Sequence, residues 1–220
     1  MMHYHATPEN HAVLEKKGFL LVDSGATYMD GTTDITRTYP LGPLTEDEKR
    51  FYTWTLQSHI DLARAVWLDY CECKMIDTIA REPLWRHLIN YRCGTGHSVS
   101  FVGNVHEGPH ALNSRNTTRM RPGMVVTDEP GVYETDLVGI RIENELVCVH
   151  KADNQYGTFL GFEPLMFVPI ATSPILPGVL DKDEIAWLND YHRQVFAKLA
   201  PHLNDEERSW LAEKCAAIGC

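Results

Sequence analysis

No stretch of this chain stays apolar for the roughly 18 residues that a bilayer span needs, and Met1 to Asn10 lacks the basic and apolar regions of a secretion signal. The expected compartment is therefore the cytoplasm. Basic residues are scarce: 20 Lys and Arg stand against 30 Asp and Glu, a formal net charge of −10 with a pI near 5.5. Nucleic-acid backbones and anionic membrane surfaces repel such a chain, so neither is an expected partner. The six cysteines (Cys71, Cys73, Cys93, Cys148, Cys215, Cys220) contain no CxxC pair and no framework spacing, and they read as reduced thiols. Cys71 and Cys73 form a CxC, but no second pair completes a thiolate site. Also missing are a Gly-x-Ser-x-Gly elbow and an HExxH helix, the usual marks of serine hydrolases and zincins.

What is present is a chain of 220 residues, 44% hydrophobic, enough for one large domain or a domain with an appendage. Phe19 to Val22 reads as a buried strand running into a turn at Asp23-Ser24-Gly25. Met29-Asp30-Gly31 reads as a second turn, with Ala26–Tyr28 and Thr33–Tyr39 paired around it. Thr45-Glu46-Asp47-Glu48 is a capping box, and Phe51, Leu56, Ile60, Ala63, Val66 and Trp67 follow a helical period behind it. A shorter helix is expected over Ile76–Leu88. From Gly123 to Val149, short β-rich runs alternate with glycine turns, as in an antiparallel sheet. These runs are Met124–Thr127, Val132–Glu134, Gly139–Ile142 and Glu145–Val149. Phe159–Pro177, with four prolines, reads as an extended connection. Asp181 then caps a helix with Ile185, Leu188, Tyr191, Val195 and Leu199 on one face. Asn204 caps a last helix carrying Trp210, Leu211 and Ile218, stopped by Gly219. Strands and helices in separate runs read as α+β.

Five hard donors lie in that text: Asp23, Asp34, His97, Glu129 and Glu143. Asp23 and Asp34 are eleven positions apart around a turn, which brings two carboxylates together from neighbouring strands; Asp30 belongs to the turn and faces solvent. His97 sits in Gly94-Thr95-Gly96-His97, where glycines let backbone approach closely. His106 follows nine residues later. Glu129 ends an apolar run before Pro130-Gly131, and Glu143 faces away from Ile140 and Ile142, with Arg141 beside it. Taken singly, an Asp near a turn, one histidine or a Glu beside an Arg is more often structural than a ligand. Four carboxylates and an imidazole together form an oxygen-rich set suited to two divalent ions sharing carboxylates, an arrangement that lowers the pKa of a shared water and polarises a carbonyl. His106 and Glu129 have the right chemistry for proton transfer in such a site.

The segments DSGATYMDGTTDITRT, GTGHSVSFVGNVHEGP, DEPGVY and GIRIENE resemble those of the pita-bread metallopeptidases (family M24), most closely the Xaa-Pro aminopeptidase (aminopeptidase P) group. The run FLGFEPLMFVPI followed by DEIAWLNDYHRQVFAKLAP is similar to the C-terminal extension of that group. The resemblance implies a pita-bread fold, partial at its start, with a catalytic domain over 1–158 and a helical extension over 159–220. It implies Asp23 as a terminal metal ligand, Asp34 and Glu143 as bridging ligands, and His97 and Glu129 holding one ion further. Glu129 would double as proton acceptor, and His106 would orient substrate or stabilise the intermediate. His3 would line the substrate site, Arg141 would brace the carboxylates, and Cys93 would stand where relatives commonly carry a substrate-facing His. The implied cofactors are two divalent ions, manganese first, with cobalt or zinc in some members. The implied reaction is release of the N-terminal residue from peptides with proline second, by a homodimer associating through the C-terminal helices. A prolidase-type dipeptidase and a non-catalytic binding module are the competing readings. The group's catalytic domain normally has further chain ahead of the His3 position, so the expectation here is an intact ligand cluster with weak metal and substrate binding.

Overall fold

The computed structural model describes residue 4 and residues 6–219. β1 (Phe19–Tyr28) and β2 (Gly31–Pro40) form one antiparallel ribbon turning at Met29-Asp30. The expected break at Asp23-Ser24-Gly25 is absent. Gly25 serves strand contact instead of a turn: a Cβ there would lie 2.4 Å from the Thr33 carbonyl oxygen. Asp23 pairs with Thr36 and Gly25 with Asp34, so the two aspartates are diagonal neighbours on one face of the ribbon.

α1 (Glu46–Ala63) begins on the predicted capping box, with Thr45 and Glu48 bonding each other's backbone N–H groups. It stops earlier than its apolar spacing suggests, because β3 (Val66–Leu68) pairs instead with β10 (Gly157–Pro164), and Trp67 lies against Phe162 with ring centroids 4.5 Å apart. β10 also corrects the reading of Phe159–Pro177 as a connection: its ladder occupies the part before the prolines cluster. α2 (Cys73–Trp85) starts and ends a few residues before the expected span, and Leu88 beyond it adopts φ 60°, outside helical geometry.

The main sheet has six antiparallel strands in the order β3-β10-β9-β6-β4-β5, with β4 at Gly96–Ser98, β5 at Glu107–Leu112, β6 at Val125–Asp128 and β9 at Asn144–Asn154. β7 (Gly131–Glu134) and β8 (Val138–Arg141) form a separate ribbon. One core packs α1 and α2 on the main sheet through Leu62, Ile76, Ala80, Leu112, Val126, Leu146 and Phe162. A second packs α1 against β8, α3 (Lys182–Leu199) and α4 (Asp205–Lys214) through Tyr52, Leu56, Ile60, Ile140, Leu188, Tyr191 and Leu211. Asp181 and Asn204 cap these two helices as expected. α4 ends before Ile218, whose backbone is held by both ends of the Asn189 amide.

Candidate metal centre

Between the β1–β2 ribbon and the main sheet lies a cleft of about 840 Å³. Asp23, Asp34, Cys93, His97, His106, Glu129, Arg141 and Glu143 all line it. His3 lies outside the described residues. Asp30 is exposed at the turn, as expected.

The sheet places the donors. A Cβ on Gly96 would lie 1.8 Å from the Thr127 carbonyl oxygen, so only glycine lets β4 come close enough to β6 to bring His97 beside Glu129. Thr127 then joins the two: its hydroxyl accepts from the His97 backbone N–H at 2.9 Å and donates to Glu129 Oε1 at 2.9 Å. His97 Nε2 lies 3.2 Å from Glu129 Oε1 and 3.5 Å from Asp34 Oδ2. Glu143 follows β8, where its backbone N–H donates to the Thr36 carbonyl at 3.1 Å and its Oε2 accepts from Thr36 Oγ1 at 2.5 Å. Ligand atoms of Asp34, His97 and Glu143 lie within 4.8 Å of one another. Asp23 is further out, its side chain 49% exposed and paired with the Arg141 guanidinium. Arg141 also donates to Thr36 Oγ1 at 3.0 Å and to the Tyr133 hydroxyl at 2.9 Å.

So many carboxylates in a half-buried cleft resist ionising together. Burial, with Asp23 nearby, raises Asp34 to about 6; burial raises Glu129 to about 7, and burial with the Glu129 and Asp34 charges raises Glu143 well above the usual range. Burial lowers His97, keeping its imidazole neutral and able to donate an electron pair. Burial, then Glu129, raises the Cys93 thiol. His106 is exposed at the rim, its ring centroid 4.0 Å from that of His97. The donor set is hard, largely oxygen, converging and short of compensating cations, which fits divalent metal ions.

Sequence reading missed Thr36, Thr127 and Tyr133. The threonines look like ordinary strand residues, and nothing in their type sets them apart. Tyr133 gave a weak signal, as a phenol with a polar end at the close of an otherwise apolar run.

Residues 1–150 match the model of metallopeptidase family M24, and residues 158–218 match the model of its C-terminal region. A probable Xaa-Pro aminopeptidase P of Coprinopsis cinerea is 40% identical over 226 residues, covering 99% of this chain and 36% of that protein. Aminopeptidase P2 of Arabidopsis thaliana is 42% identical over 218 residues, covering 96% of this chain and 31% of its own length. Among solved structures, an X-prolyl aminopeptidase from Caenorhabditis elegans, described as a cytosolic enzyme with a di-nuclear active site, superimposes with a TM-score of 0.86 at 40% identity over 91% of this chain and 34% of that one. Prolidase from Pyrococcus furiosus gives a TM-score of 0.58 at 29% identity over 68% of this chain and 41% of that one. The chain thus spans about a third of the length of the curated relatives it matches.

Proposed function

The chain belongs to metallopeptidase family M24, and from that premise we propose that its cleft holds two divalent ions, manganese first, and removes the residue preceding proline from peptide N-termini. The observation that carries this reading is the convergence of Asp34, His97 and Glu143 within 4.8 Å in a cleft that Asp23 and Glu129 also line. Relatives named aminopeptidase P supply the substrate class.

In this reading Asp23, Asp34, His97, Glu129 and Glu143 would hold the ions, Asp34 and Glu143 being the carboxylates that would serve both. Such ions, when bound, lower the pKa of water and polarise a substrate carbonyl. Glu129, oriented by the Thr127 hydroxyl, accepts the nucleophile's proton. His106, exposed at the rim beside His97, reaches the substrate. Arg141 holds Asp23 and Thr36 in place. Cys93 lines the substrate side. Residues 1–158 form the catalytic part and residues 159–220 the C-terminal extension, which finishes β10 of the main sheet before its helices begin. The outer face of α4, where Trp210 is 55% exposed, forms the homodimer contact. The proposed compartment is the cytoplasm.

The test is a manganese-loaded assay on tripeptides and longer peptides with proline second, alongside Xaa-Pro dipeptides, repeated with cobalt and zinc. Release of the first residue from the longer peptides supports the reading. Cleavage of dipeptides alone supports a prolidase-type enzyme. Absence of bound manganese, with Asp34→Ala unchanged in stability, supports a binding module.

A further inference from the structure

Behind the cleft, four polar side chains form a continuous buried row that the proposed chemistry does not use. Asp128 immediately precedes Glu129 and Asn144 immediately follows Glu143; both are fully buried, and they are partners across β6 and β9. His59, also fully buried, reaches in from α1 and stands between them. Its Nδ1 lies 3.1 Å from Asp128 Oδ2, and its Nε2 lies 3.3 Å from Asn144 Nδ2. Beyond, Asn144 Oδ1 accepts from Arg37 at 2.8 Å and from the Tyr191 hydroxyl at 3.1 Å. Arg37 is 3% exposed and has no ion-pairing carboxylate among the described residues. It also donates to the Tyr191 hydroxyl at 3.0 Å and to carbonyl oxygens, those of Thr36 and Glu143 on the cleft side and of Val168 and Pro169 behind.

The direction of each bond follows from one fact: a guanidinium only donates. Asn144 Oδ1 must therefore accept, leaving its Nδ2 to donate to His59 Nε2. The His59 proton is thereby placed on Nδ1, turned toward Asp128. Neither Asp128 oxygen meets hydrogen-bond geometry with any donor among the described residues, and the His59 ring, in ion-pair range at 3.1 Å, is the polar side chain set against it. The row thus runs from a buried carboxyl, whose pKa burial raises, through His59 and Asn144 to a buried cation. Charges so deep are costly, and apolar packing would serve stability as well or better. What the row does, and apolar packing would not, is tie the residues next to two donor carboxylates to one another and to α1.

We propose that Asp128, His59, Asn144 and Arg37 form a positioning relay that sets the spacing of Glu129 and Glu143 and so tunes metal affinity, an inference that rests on the two-ion reading of the cleft. None of the four lines the cleft. They act through the backbone of the adjoining donors, as partners behind metal ligands do elsewhere.

The experiment is titration calorimetry of Mn²⁺ into the metal-free 220-residue chain, with thermal unfolding of the same metal-free samples. His59→Leu is expected to weaken manganese binding about tenfold or more. His59→Asn keeps a donor near the Nδ1 position and is expected to recover most of that loss, although it packs the site less well and does not restore the metal-free Tm. Wild-type affinity in both variants would overturn the relay, as would affinity and metal-free Tm falling in step across the two. A wild-type chain that binds no manganese would overturn the two-ion reading itself and the relay with it. Where His59→Leu fails to fold, Tyr191→Phe keeps its ring stacked on Trp187 and loses only the hydroxyl, which bonds Asn144 and Arg37 within the row and the Met166 and Val168 backbone beside it. A severalfold loss of affinity supports the relay in that variant, and no loss overturns it.

Discussion

One wall of the cleft presents Asp23 and Asp34 from a two-stranded ribbon exposed from Val22 to Tyr28, whereas the other presents His97, Glu129 and Glu143 from segments packed over buried cores. On the sheet wall, Thr127 of β6 fixes His97 and Glu129 before any ion arrives, while Glu143 is fixed by Thr36 at the base of the ribbon. On the ribbon wall only the base is held, where Thr36, Arg37 and Thr38 are buried and Thr38 exchanges hydrogen bonds with Arg141. The sheet wall thus sets geometry, and the ribbon wall supplies charge on a more compliant support. Ions shared by the two would fasten the ribbon to the sheet.

The harshest way to break this comparison is an alanine on each wall. Gly96→Ala forces a Cβ against backbone between buried strands, and urea unfolding should show a loss of about 3 kcal/mol or more. Gly25→Ala meets backbone too, but a ribbon with a free edge can splay, and about 1 kcal/mol is expected. Equal losses would mean the ribbon is as rigid as the sheet. Next in size is metal affinity: Glu143→Gln should weaken manganese binding roughly 100-fold or more, and Asp23→Asn only about tenfold, by calorimetry. The reverse ranking would make the ribbon the principal anchor.

Manganese at 100 times its Kd should raise the unfolding free energy by about 2.7 kcal/mol. Hydrogen exchange should then slow more over residues 22–28 than over β6, and uniform slowing would show that the walls do not differ. The smallest effect concerns pH. Asp34, at about 6, and Glu129, at about 7, bind protons more tightly folded than unfolded, where carboxylates titrate near 4. Their contribution to metal-free stability is therefore complete below about pH 4 and is lost as pH rises through about 6 to 7. Buried His192, lowered to about 4, works the other way, losing stability as pH falls from 6.5 toward 4. Comparing melts with and without manganese isolates the carboxylates; a metal-induced gain that does not grow with pH would remove them as its source.

The donors were legible because each sits in text that plain packing does not require: a polar strand, a histidine among glycines, a Glu before Pro-Gly. The capping boxes at Thr45, Asp181 and Asn204 marked three helix starts, since a capping side chain answers only to its own turn. Illegible features depend on partners distant in sequence. Val66–Leu68 continues a helical period and becomes strand because β10 is there to pair with it. Gly25 looks like a turn glycine until the opposing Thr33 carbonyl is seen. His59 lies 69 positions before Asp128, inside an apolar helix face, and its role emerges only once the sheet brings Asp128 and Asn144 together.

α1 contributes Leu62 and Ala63 to the core over the main sheet and Tyr52, Leu56 and Ile60 to the core under α3 and α4. Neither layer can dissolve without baring one side of this helix. Heating should therefore give a single cooperative transition, with calorimetric and van't Hoff enthalpies in agreement, across both family-matched segments. The same helix carries His59, so a disturbance at the far C-terminal helices has a solid lever, one helix long, by which to reach the glutamates of the cleft.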